Sequence, residues 1–107
     1  MVCVTNVCLE EWGKLCDEGT AEISLPSGSQ VIGASVFHER VMVSVLSNKN
    51  APGMAVRFRL VKTGEDINGE DLRHVSSVGD MDHHLFIDVA PLRAAGMQVG
   101  TGHPDDD

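Results

Sequence analysis

The chain has no tyrosine, one tryptophan and three phenylalanines, which excludes a core built around clustered aromatic rings. The interior must come mainly from Val, Leu, Ile, Met and Ala. Basic residues are also scarce: 8 Lys and Arg stand against 16 Asp and Glu, for a formal net charge of −8. Broad affinity for nucleic-acid phosphates needs clustered cations, so direct nucleic-acid binding is not expected. No apolar run approaches the roughly 20 residues that span a bilayer. The opening MVCVTNVCLEEW lacks the basic n-region and long apolar core of a signal peptide, so a cytoplasmic location with no membrane partner is expected. Cys3, Cys8 and Cys16 are odd in number and share no CxxC spacing, which argues against a disulfide framework or a zinc knuckle. They read as free thiols, buried or half-buried.

A chain of 107 residues is the size of one domain. Apolar residues make up 42% and charged residues 22%, a balance that fits a soluble globular protein rather than a disordered or membrane-spanning one. Period-2 alternation recurs along the chain while helical periodicity is weak. In MAVRFRLVK, Met54, Val56, Phe58 and Leu60 fall on one face and Ala55, Arg57, Arg59 and Val61 on the other, as in a strand with one buried side. VMVSVLS places Val41, Val43 and Val45 against Met42, Ser44 and Leu46, and the last strand, HLFIDV, alternates Leu85, Ile87 and Val89 with His84, Phe86 and Asp88. Pro and Gly fall between these runs: LPSGSQ is a turn, FHER a tight connection, NKNAPG a longer loop and TGEDINGED a solvated one.

In the stretch LEEWGKLC, Leu9, Trp12, Leu15 and Cys16 have the spacing of a short amphipathic helix, but Gly13 weakens a helix interior by about 1 kcal/mol. A strand is expected there. The tail PLRAAGMQVGTGHPDDD loses alternation and ends in three aspartates, so residues 91–107 are expected to be loosely ordered, with a helical turn near Pro91 to Ala95 as an option. The expected architecture is an all-β single domain over residues 1–90, a small antiparallel barrel or sandwich of six or seven short strands with at most one short helix.

Trp12 with Lys14, the Leu-Pro-x-Gly turn at Leu25 to Gly28, the Val-rich strand after it, and Phe58 followed by Thr63 and Gly64 carry a resemblance. Over roughly residues 10 to 89 the chain resembles a small family of proteins found mostly in bacteriophages and prophages. The first ten residues and the tail have no counterpart in it, and the last strand lacks its usual aromatics. The resemblance implies a phage accessory role and supplies no activity or site residue.

The stretch GDMDHHLFIDV holds ligand types for zinc or manganese in Asp80, Asp82, His83 and His84. Adjacent histidines in a strand point to opposite faces, so they would need a partner such as His74 or His38 to hold one ion. A polar turn leading into the last core strand is the simpler reading, and no metal or cofactor is expected. There is no Gly-x-Ser-x-Gly elbow and no Gly-rich phosphate loop, and an enzyme is not expected.

Charge placement is more informative. Arg40, Arg57, Arg59, Lys62 and Arg73 fall within residues 40 to 73. Arg57 and Arg59, at i and i+2, present two guanidinium forks suited to phosphate or carboxylate, and neighbouring strands could bring Arg40 and Arg73 alongside, with His84 lining the site. The competing reading pairs these cations with Glu65, Asp66, Glu70 and Asp71 as an ordinary solvated face. Three roles follow: a non-enzymatic accessory protein, homo-oligomeric and with counter-defence as one option, that captures a phosphorylated small molecule; an acidic inhibitor or adaptor that docks on a host protein by imitating nucleic-acid phosphates; and a structural component of the phage particle.

Overall fold

A computed structural model describes residues 2–67, 71–79, 82–89 and 100–101. The elements run β1 (Val2–Glu11), α1 (Trp12–Glu18), β2 (Thr20–Pro26), β3 (Gln30–Phe37), β4 (Arg40–Asn48), β5 (Gly53–Lys62), β6 (Leu72–Val78), β7 (His83–Asp88) and β8 (Gly100–Thr101). They form two four-stranded sheets, β1-β4-β3-β8 and β2-β5-β7-β6. Pairing is antiparallel throughout except at β8, whose two residues run parallel to Gln30 and Val31. The sheets pack face to face and do not close into a barrel, so of the two expected all-β forms the chain adopts the sandwich.

The alternation seen in the sequence fills the space between the sheets. The first sheet contributes Val31, Val41, Val43 and Val45, all essentially inaccessible, and the second contributes Val56, Phe58, Leu85 and Ile87. Phe58 is the largest of these, and burying a phenylalanine fully contributes roughly 1.5–3 kcal/mol. Val61 departs from the expected pattern. It holds an outer-face register position opposite His84, yet it is buried rather than exposed.

The segment expected to continue as strand is instead a helix over Trp12–Glu18. Gly13 lies in its first turn, where its cost is small, and no β-branched residue occurs in WGKLCDE. The stop signal is Gly19, which takes the left-handed conformation (φ 77°) and donates its N–H to the Leu15 carbonyl at 2.7 Å. Leu15 anchors the helix with a fully buried side chain.

Two turns set the ends of the sandwich. At Pro26–Ser29, Gly28 has φ 79° and Ser29 donates its N–H to the Pro26 carbonyl at 3.1 Å, while Ser27 donates both its N–H and its hydroxyl to the Pro52 carbonyl. Between β3 and β4 the chain turns on His38 and Glu39 alone, both at positive φ (50° and 63°). A two-residue hairpin of this hand normally takes Asn-Gly, so the turn stores backbone strain.

The cysteines are free, as expected; Cys3 is half-buried, but Cys8 and Cys16 are exposed. No helix among the described residues is long and apolar enough to cross a membrane. Gly100 and Thr101 apart, the C-terminal tail and the suggested helical turn lie outside the described residues, as do Glu70 and Asp80.

Candidate functional site

The outer face of the second sheet gathers the polar side chains. Strand register sets three rows across it: Glu22–Arg57–Asp88, then Thr20–Arg59–Phe86–His74, then Val61–His84–Ser77. Arg57, Arg59 and His84 therefore share one surface, as the sequence suggests. The other proposed cations do not join them. The neighbours of β5 are β2 and β7, not β4 and β6, which corrects the expectation that Arg40 and Arg73 lie alongside Arg57 and Arg59. Arg73 aligns with the buried Ile87 on an edge strand, and Lys62 aligns with His83, one position out of phase with the arginine pair. Arg40 belongs to the first sheet, where it rims a groove of about 490 Å³ with Glu11, Trp12, Gly13, His38 and Glu39.

The two arginines differ in how they are held. Arg59 donates Nη1 to the Leu60 carbonyl at 2.8 Å and makes a close ion pair with Glu65. Its guanidinium lies over Gly19, where an added Cβ would sit 3.1 Å from Nη1. Glu65 is fixed in turn by accepting the Lys62 N–H at 3.2 Å. That backbone hydrogen bond first, and the Arg59 guanidinium second, hold its carboxyl below the usual glutamate range. Arg57 is more open, with 48% of its side chain exposed, and faces Glu22 and Asp88 at 3.9 Å each. Both distances exceed hydrogen-bond length, so Coulomb attraction alone holds it between two carboxylates. The expected pairing with loop acids thus holds for Arg59 and Glu65, while Arg57 takes partners from strands on both sides.

Beside the arginines lies a cluster of rings. His74 meets Phe86 edge-on at a centroid distance of 5.2 Å and lies 5.6 Å from His84. His84 is oriented by two hydroxyls, Thr63 at Nε2 and Ser77 at Nδ1, each at 3.2 Å. In the Ser–His–Asp arrangement a carboxylate holds the second ring nitrogen; here Thr63 holds it. His83 points the other way, as adjacent strand residues must. It meets Trp12 edge-on at 5.1 Å, and its Nδ1 is buried without a hydrogen-bond partner. Among the described residues no group of three or more His, Cys, Asp and Glu side chains has the arrangement to hold a metal. The Cys16 thiol is pushed up by desolvation and by the Asp17 charge, which makes it a poor nucleophile at neutral pH.

Sequence alone points to Arg57, Arg59, Arg40, Lys62, Arg73 and His84, of which Arg57, Arg59 and His84 share this face. It does not point to Glu22, Asp88 or Phe86 as their neighbours, because those contacts depend on strand order. Residues 15–92 match a family model described as "Domain of unknown function (DUF7352)", a span that runs from within α1 to beyond β7. No curated protein and no solved structure matches the chain.

Proposed function

The chain belongs to the DUF7352 family, whose description assigns no activity; from the surface it presents, we propose that it is a non-enzymatic binding protein of a phage or mobile element. Its ligand is a small molecule that carries both a phosphate and a planar ring, bound on the outer face of the second sheet. One observation carries this reading: Arg57, half exposed and without a hydrogen bond at its guanidinium, shares the outer face of the second sheet with the Phe86–His74–His84 ring cluster, one register row from Phe86. A phosphate oxygen can exchange for the 3.9 Å carboxylate contacts and gain charge-assisted hydrogen bonds in their place. A base or similar ring can rest against Phe86 and His74. Arg59, clamped by Glu65 and the Leu60 carbonyl, orients the face and leaves the capturing role to Arg57.

The test is native mass spectrometry of the full chain mixed with a pool of nucleotides and cyclic dinucleotides. A discrete added mass is expected. Arg57→Ala should weaken capture roughly ten- to a hundredfold, the range set by losing one charge-assisted hydrogen bond, and should leave the thermal midpoint nearly unchanged. Neutralising Asp66 together with Asp71 should leave capture largely intact. Bare protein with every ligand, combined with retention on a basic host protein that the Asp66 and Asp71 changes abolish, would sink this reading in favour of docking through acidic loops.

A further inference from the structure

The first sheet presents a different surface. Residues 2–8, 30–37 and 41–47, which make up nearly all of β1, β3 and β4, contain no Asp, Glu, Lys, Arg or His in a chain of net charge −8. The exposed large apolar side chains among the described residues are Val2, Val4, Ile32 and Phe37, and all four belong to this sheet. Val2 and Val4 lie on β1, its open edge, where they are 62% and 59% exposed.

Among the described residues β1, a ten-residue strand, pairs on one side only, with β4. Natural sheets blunt such an edge with Lys, Pro, a short strand or a bulge. The edges of the second sheet have such features: Glu22 and Pro26 on β2, and Arg73 with a bulge between His74 and Ser76 on β6. Along β1 the single irregularity is at Cys8/Glu10, and the span Val2–Cys8 has none of them. Among the described residues, this uncharged span has no partner on its outer side.

We infer that β1 pairs antiparallel with β1 of a second copy, merging the two first sheets into one continuous eight-stranded sheet across a two-fold axis. A two-fold contact brings each residue against one at the mirror offset on the same sequence. Centred on Thr5, the middle of the uncharged span, it places Thr5 against Thr5, Val4 against Asn6, Cys3 against Val7 and Val2 against Cys8. No pair is charged, and the central Thr–Thr pair is one that antiparallel sheets favour. Glu10 and Glu11 fall outside the paired span, so no like charges meet. Two copies that repel elsewhere through their acidic surfaces find here a contact without repulsion, and the face proposed for ligand capture stays open on the opposite sheet.

Sedimentation velocity on the full chain tests this directly. Concentrated protein should sediment at twice the 11.5 kDa chain mass, and added salt should strengthen the association by screening the net charge of each copy. Val4→Lys combined with Thr5→Lys sets lysines across the axis and should return the mass to that of one chain. Because these changes also reduce the net negative charge, general repulsion could not explain the loss. In a background with Cys3, Cys8 and Cys16 changed to Ser, Thr5→Cys should form an intermolecular disulfide under mild oxidation, since directly opposed Cα atoms lie about 4.5–5.5 Å apart, within disulfide reach. Glu22→Cys, on the other sheet, should not. A single chain at every concentration and salt, or a dimer that survives the paired lysines with its circular dichroism intact, overturns the inference. If the lysine variant does not fold, the Thr5→Cys crosslink decides, and its absence overturns the inference equally.

Discussion

The two sheets share one core and differ in almost everything outside it. The first has strands charged only at one end, at Glu10, Glu11 and Arg40, with a long edge unpaired among the described residues and exposed valines; the second has arginines, histidines and carboxylates that hold one another across its outer face. Both are built from the same period-2 rule, which fixes only which side chains point inward. The outward positions are free to diverge, and the divergence separates a surface suited to matching its own kind from one suited to a polar ligand.

The strongest way to break the comparison is through what the sheets have in common. Phe58 comes from the second sheet and packs in a cluster with the valines of the first. Phe58→Ala should cost about 3–5 kcal/mol and unfold both sheets in a single urea transition. Two separate transitions would show that the sheets are independent units. A smaller effect, confined to the first sheet, is expected at its hairpin. Replacing His38 by Asn and Glu39 by Gly relieves two left-handed positions but gives up the edge-on contact of His38 with Phe37 at 4.1 Å. The net gain should be about 1 kcal/mol, read as a higher urea midpoint with an unchanged slope.

The smallest effect sharpens the contrast by pH and is confined to the second sheet. Glu65 has its carboxyl held down in the folded state by the Lys62 N–H and the Arg59 guanidinium, so its ionised form stabilises the fold. That contribution is fully present above the ordinary glutamate value of about 4.3 and is lost as pH falls through the lower folded value. Glu65→Gln should therefore lower stability by less than about 1 kcal/mol at pH 7, a modest figure because the pair is partly solvated. The difference should shrink as pH falls, as urea midpoints at pH 7 and pH 3 would show.

Much of the architecture was legible in the sequence because burial in a two-sheet protein leaves a local trace. Met54, Val56, Phe58 and Leu60 announce a half-buried strand without any knowledge of its neighbours, and Pro26 with Gly28 announces the turn before the next one. The opposed directions of His83 and His84 follow from the same pleat. The helix at Trp12–Glu18 is hidden because Gly13 reads as a helix-weakening interior residue, while the decisive signal is Gly19 as its stop. The composition of the site was hidden for a different reason. Glu22 and Asp88 reach Arg57 from residues 35 and 31 positions away, through a strand order that only the packing of the whole chain selects. The same order carries Arg40 to the other sheet.

Trp12 links the two halves. Its backbone N–H donates to the Glu39 carbonyl at the first sheet's hairpin, while its ring meets His83 and lies 3.3 Å from where a Cβ on Gly79 would be, both at the end of the second. With no tyrosine and no other tryptophan in the chain, emission excited beyond the phenylalanine absorption band has a single source, placed at the joint between the sheets. The protein thus carries its own optical gauge: a shift in the wavelength or intensity of that emission reports the sheets parting, with no label attached.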